Sequence, residues 1–92
     1  MNRFYYIYVL QSEKDYSFYV GYTDDIRRRF KEHQDGKVRS TRKRIPLRLS
    51  YWEGCLSQQD AISREKYLKT AWGKRYIKNR LKEYLVGIRP VR

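Results

Sequence analysis

At 92 residues the chain suits one compact domain, residues 1–92, and leaves no room for two. Lys and Arg number 22 against 10 Asp and Glu, a formal charge of +12 that makes nucleic acid the first partner to consider, ahead of a plainly basic or ribosome-associated role. The single cysteine, Cys55, excludes an internal disulfide, no stretch is long enough to span a membrane, and the tyrosine-rich start lacks a signal-peptide cleavage pattern, so the expected location is the cytoplasm.

In chain order, "YYIYVLQ" (5–11) is dense in aromatic and β-branched residues and predicts a strand. "EKDYS" turns the chain, and "FYVGYT" (18–23) predicts its hairpin partner. A helix is expected from Asp24, capped by Thr23 or Asp24, through "IRRRFKEHQ" to a stop at Gly36. The loop "KVRSTRKRIP" follows, and "LRLSYWEGC" (47–55) alternates as a third strand. Ser57, with Asp60 three residues on, starts a second helix that runs to Trp72 and breaks at Gly73. A third spans Lys74 to Leu85, where Ile77, Leu81, Tyr84 and Leu85 repeat at helical spacing, before the tail "GIRPVR". The expected class is α+β, ββαβαα: a three-stranded antiparallel sheet flanked by three helices.

Four groups carry candidate chemistry. Glu65 lies within the apolar arc of Ala61, Ile62, Leu68 and Trp72, and a carboxylate on an inward helix face is costly unless compensated. Two readings stay open for it: a buried ion pair with an arginine, or a metal-binding or catalytic carboxylate. Arg29 and His33 are four apart and share a helix face, with Ile26 and Phe30 anchoring that helix to the sheet. Of the three consecutive arginines, Arg27, Arg28 and Arg29, the last is the one expected near the sheet, where a guanidinium suits a phosphate; His33 alone reads equally well as a solvated helix residue. On the strands, Tyr6 and Tyr8 share a face, as do Tyr19 and Gly21, and the glycine leaves room beside a tyrosine hydroxyl that a ligand can occupy. Tyrosines on strands are otherwise core packing.

"YIY" at 6–8, "YVG" at 19–21, Arg29, His33 and Glu65 together resemble the GIY-YIG nucleases, over about residues 4–80, with a basic C-terminal helix and tail to 92. "WEG", "SREKYLK" and that last helix resemble the small stand-alone bacterial members, largely uncharacterised and similar to the nuclease module of the UvrC repair subunit. The resemblance implies functional tyrosines at Tyr8 and Tyr19, a catalytic arginine at Arg29, a supporting histidine at His33, a metal-binding glutamate at Glu65 and a late asparagine at Asn79. Tyr6 stands where the name-giving glycine belongs, and no second histidine occurs in the 37–44 loop.

The implied activity is hydrolysis of DNA phosphodiesters with a divalent ion, Mg²⁺ or Mn²⁺, in repair or recombination, on branched or flapped structures. A non-catalytic module binding DNA or RNA, and a subunit that needs a protein partner, are the other readings. Arg27, Lys37, Arg39, Arg42, Lys43, Arg44, Lys74, Arg75 and Lys78 are the candidates for backbone contact.

Overall fold

The computed structural model describes residues 3–88, and the tail beyond lies outside them. Strands β1 (Tyr5–Ser12) and β2 (Phe18–Thr23) precede helix α1 (Ile26–Gln34), strand β3 (Leu47–Cys55) and helices α2 (Gln58–Leu68), α3 (Ala71–Arg80) and α4 (Lys82–Ile88). The fold is α+β, as expected, around one antiparallel sheet of order β2-β1-β3. Among the described helices, none is long and apolar enough to cross a membrane.

Being central, β1 is covered on both faces, so its run of large side chains need not alternate with polar ones. Ile7 and Val9 turn to one face and pack with Ala61, Leu68 and Ile77 of α2 and α3. Tyr8 and Leu10 turn to the other, where Leu47, Phe30 and Tyr19 close over them. The register sets Tyr8 opposite Gly21 on one neighbour and Trp52 on the other. A shift between Val9 and Leu10 leaves Ser50 of β3 without a partner in the ladder. The α2–β3 contact is fixed by Arg64, which grips Glu53 through Nε and Nη2, both at 2.9 Å. The Tyr51 hydroxyl donates to the same carboxylate at 2.8 Å.

The helix ends differ from expectation for reasons of local hydrogen bonding. Asp25, rather than Thr23 or Asp24, caps α1 by accepting from the Arg28 amide, while Thr23 Oγ1 accepts from the Asp25 amide. Ser57 caps α2 as expected. That helix stops at Leu68, because Thr70 caps a new one: its Oγ1 accepts from the Gly73 amide at 3.2 Å and donates to the Tyr67 carbonyl at 2.6 Å. Trp72 is thereby turned outward, 67% exposed, instead of joining the Ala61–Leu68 stripe. Gly73 sits inside α3 and is not a break; it is where α3 crosses the end of α2. The expected third helix starts earlier, at Ala71, and divides at Leu81, so among the described residues four helices replace three.

A Cβ on Gly73 would lie 2.1 Å from the Tyr67 carbonyl oxygen and 2.3 Å from Leu68 Cα, both backbone. Gly73→Ala is expected to cost about 2 kcal/mol or more in urea unfolding, because neither neighbour can yield without shifting the helix. Gly87 has open space around it, so Gly87→Ala is the control and should stabilise α4 by about 0.5–1 kcal/mol. Equal effects of the two would sink this account of Gly73.

Candidate functional site

Tyr8 stands mid-sheet with only 2% of its surface exposed, so its hydroxyl needs a partner inside the protein. It finds one in His33 Nε2 at 2.9 Å. Reaching it takes the ring across Gly21, where a Cβ would fall 2.3 Å from both Tyr8 Cζ and Oη. The space over Gly21 is therefore filled by the protein's own tyrosine rather than left for a ligand.

His33 is fully buried, which settles it as an inward residue of α1 rather than a solvated one. Its Nδ1 meets Thr41 Oγ1 at 2.7 Å, so helix, central strand and basic loop share one hydrogen-bonded chain. Tyr19 packs edge-on to the imidazole, ring centres 5.1 Å apart, with the Tyr8 ring 6.4 Å away. Arg29, one turn before His33, is held by Glu32, whose Oε1 accepts from Nη1 at 3.0 Å. Thr41 and Glu32 were not among the candidates drawn from the sequence. Glu32 carried a signal, three residues after Arg29 on one helix; Thr41, inside a run of cations, carried none.

Burial acts on the two central groups in opposite directions. It pushes the Tyr8 hydroxyl up to about 12; the adjacent Arg29 guanidinium opposes this, while the charges on Tyr19 and Glu65 add to it. Burial likewise pushes the His33 imidazole down to about 4, assisted by the Arg29 charge and opposed by Glu32. Arg29 itself is held above its usual range by Glu32 first and by Tyr8 second. The resting site is a neutral phenol on a neutral imidazole, beside a fixed positive charge.

Glu65 reaches this group electrostatically, through its effect on Tyr8, rather than by a hydrogen bond. Its side chain is 21% exposed and pairs with Lys69 at 3.0 Å, a lysine one turn on rather than an arginine. No group of three or more His, Cys, Asp or Glu suited to a metal occurs among the described residues. A lone carboxylate still fits Mg²⁺, a hard cation that keeps most of its waters and takes one or two protein oxygens.

Other candidates lie apart. Tyr6 stacks with Phe4 and meets Trp52 edge-on, ring centres 5.6 Å apart, beside Gly54. Asn79 is on the exposed side of α3, two residues past buried Ile77. Arg44 is a brace rather than a free cation: its guanidinium donates to Ser17 Oγ at 2.8 Å and to the Ser40 carbonyl. Arg27, Lys37, Arg39, Arg42, Lys43, Lys74, Arg75 and Lys78 are exposed, with Arg75 lying over the Trp72 ring.

The family model described as the GIY-YIG catalytic domain matches residues 4–80. The chain belongs to the GIY-YIG family. Its relatives include a UPF0213 protein of Streptococcus pneumoniae, 46% identical over 70% of this chain and 65% of that protein. Another, from Bacillus licheniformis, is 42% identical over 85% of this chain and 84% of its own. The solution structure of a UPF0213 protein from Bacillus halodurans, 34% identical, covers 94% of this chain and 85% of that one with a TM-score of 0.45. Tyr8 and Tyr19 both lie edge-on to the buried His33 ring.

His33 makes the stability of this GIY-YIG domain depend on pH. It stays neutral when folded down to about 4, whereas the unfolded chain takes up a proton below about 6.5. Its contribution is full above pH 6.5 and fades as the pH falls toward 4, by up to about 3 kcal/mol. In His33→Gln, the stability gap to wild type should therefore narrow between pH 6.5 and 4. A gap independent of pH in that range would show that His33 does not titrate in this way.

Proposed function

We propose that the protein is a divalent-metal-dependent endonuclease that hydrolyses DNA phosphodiesters, with branched or flapped DNA in repair or recombination as its preferred target. The observation that carries this reading is the convergence of the Arg29 charge on the Tyr8 hydroxyl, which is in turn bonded to His33. A guanidinium beside a proton-bearing group is the minimum needed to hold a phosphate and handle the proton of an attacking water. The GIY-YIG family match supports the reaction class, and a charge of +12 supports a polyanionic substrate.

Arg29 would neutralise charge building on the phosphoryl oxygens, exchanging Glu32 for the phosphate. Glu65 would hold the divalent ion once Lys69 releases it; when bound, the ion supplies Lewis-acid stabilisation of the phosphate and of the leaving oxygen. Tyr8, a protonated donor at neutral pH, would orient the attacking water, with Tyr19 alongside, and accept its proton only in the small ionised fraction. His33 would fix the Tyr8 hydroxyl in place. Arg27, Lys37, Arg39, Arg42, Lys43, Lys74, Arg75 and Lys78 would track the backbone.

One observation favours a second reading, a module that binds DNA or RNA without cutting it: Glu65 is already paired with Lys69 and belongs to no group of three or more His, Cys, Asp or Glu suited to a metal among the described residues. Dependence on a protein partner is a third outcome, seen as cleavage only when cell extract is added.

Labelled single-stranded, duplex, flapped and four-way-junction DNA, offered with Mg²⁺, Mn²⁺ or EDTA, tests the proposal. Wild type should cut only with metal. Glu65→Ala and Arg29→Ala should lose about 100-fold or more in rate, with Glu65→Ala keeping its affinity for DNA. Binding that needs no metal, with no cutting of any substrate, would move the assignment to the binding module. Cleavage should also climb from pH 7 to 9.5 without a plateau, since a hydroxyl held at about 12 is scarcely ionised there. A flat profile would leave the tyrosines to position the water only. Affinity should fall steeply with salt; indifference between low and moderate salt would count against phosphate contact.

A further inference from the structure

A cleft of about 980 Å³ opens between the β1–β2 hairpin, the end of α2 and the α3–α4 pair. Its floor is apolar, made by Val9, Val20, Leu68, Ile77 and Leu85. Its rim is basic: Lys69, Lys74, Lys78 and Lys82 all line it and all are exposed. Lys74 and Lys78, four apart, share a face of α3, and Lys82 extends the basic rim at the start of α4. Among the described residues, Lys74, Lys78 and Lys82 form no ion pair, and the acidic side chain in the lining is Asp15, whose carboxylate is occupied by the Ser17 amide and hydroxyl. The cleft lies on the Val9 face of the sheet, opposite the Tyr8–His33 pair, and shares two residues with the candidate site. Tyr19 lines it and also packs on His33; Lys69 lines it and also holds Glu65.

Tyr16 sits at the hairpin end of this cleft with φ +63°, and it is the one non-glycine residue with positive φ among those described. An aromatic residue in the left-handed region is strained, and glycine or asparagine is the usual occupant. The turn around it is firmly built: the Tyr16 amide donates to the Ser12 carbonyl at 2.9 Å, and its carbonyl accepts from Gln11 Nε2 at 3.1 Å. The ring gains little from the fold in return, being 42% exposed. Strain borne by an exposed aromatic ring, at the end of a cation-rimmed apolar cleft, calls for a ligand that stacks.

We propose that this cleft seats an unpaired strand of nucleic acid flanking the scissile phosphate, with phosphates on the lysine rim and a base stacked on Tyr16, beside Phe18. The proposal rests on the nuclease reading above for the direction of the strand, but not for its binding. A double helix buries its base faces in its own stack, so it can touch the lysines but not the apolar floor. A single strand can use both, which is the combination that non-specific single-strand binding needs. The cleft thus makes unpaired bases next to the cut, rather than duplex, the substrate class.

The test is fluorescence anisotropy in EDTA with a 20-nucleotide oligo(dT) strand, against a blunt duplex of equal length, for wild type, Tyr16→Asn and Tyr16→Phe. Asparagine accepts the left-handed turn and removes the ring; phenylalanine keeps the ring. Single-strand affinity should fall about fivefold or more in Tyr16→Asn, recover in Tyr16→Phe, and leave duplex affinity within about twofold throughout. The urea midpoint of Tyr16→Asn should not fall, which separates lost stacking from lost folding. Unchanged single-strand affinity, or equal losses on strand and duplex, would overturn the proposal. So would an acidic leucine-bearing peptide that binds wild type and loses affinity in Tyr16→Asn while the strand does not, since the cleft would then dock protein. If wild type shows the expected strand selectivity but never cuts with metal, the nuclease reading fails and the cleft stands; cutting with no effect of Tyr16 gives the reverse.

Discussion

The hydrogen bond between Tyr8 and His33 is the constraint to which the neighbouring elements answer. A hydroxyl carried into the middle of a sheet costs about 1–3 kcal/mol if left unpaired, so the fold must bring it a partner. That partner has to come from α1, which fixes where the helix crosses the sheet. The ring has to lie over β2, which requires Gly21 opposite it in the register. The other nitrogen of the imidazole then needs its own partner, and Thr41 supplies it. Through Thr41 the basic loop is tied to the centre of the sheet, with Ser12 and Arg44 adding a second tie at the hairpin. A loop with so many like charges would otherwise have little reason to lie down.

The same burial that stiffens the site also keeps it electrically quiet. Tyr8 is held protonated and His33 unprotonated, so neither is charged at neutral pH. The charges that remain each have a provisional partner: Arg29 rests on Glu32 and Glu65 on Lys69, both at 3.0 Å and both partly exposed. Pairs of this kind are worth at most about 1 kcal/mol, so exchanging either partner costs little. A phosphate offered to Arg29, or a hard cation offered to Glu65, meets groups already oriented and weakly engaged. Carboxylate and guanidinium are thus each paired elsewhere while the charges of both act on one phenol.

Much of this could be read from the sequence because it depends on period. Alternation along 5–11 and 18–23 put Tyr8 and Tyr19 on chosen faces, and the four-residue step put Arg29 with His33. What failed were features decided by competition between nearby groups. Glycine is a poor helix former, so Gly73 reads as the break after α2, yet Thr70 makes the cap and Gly73 survives inside α3 because only a hydrogen atom fits against Leu68. That one misplaced break turned Trp72 inward on paper and outward in the fold. Glu65 is legible as a carboxylate on an inward helix face, but the charge that meets it is that of Lys69, one turn along its own helix, and not of an arginine. Arg44 looked like any cation of its loop; only tertiary structure brings Ser17 to it. The left-handed turn at Tyr16 had no signal, since the residue there is the wrong type for it.

Family membership points to the nuclease superfamily in general rather than to a substrate, and the physics of a small domain narrows the choice. Phosphate contacts position a nucleic acid but carry no sequence information, and a surface of +12 offers such contacts to any strand. Discrimination must then come from something that differs between one nucleic acid and another at the backbone's edge. What differs there is whether base faces are free. Among the described residues, the cleft behind Tyr19 combines cations with an apolar floor, and it shares Tyr19 and Lys69 with the candidate site. A protein built this way would select its target by the absence of pairing, and flapped or branched DNA would qualify through its unpaired segments rather than through its junction geometry.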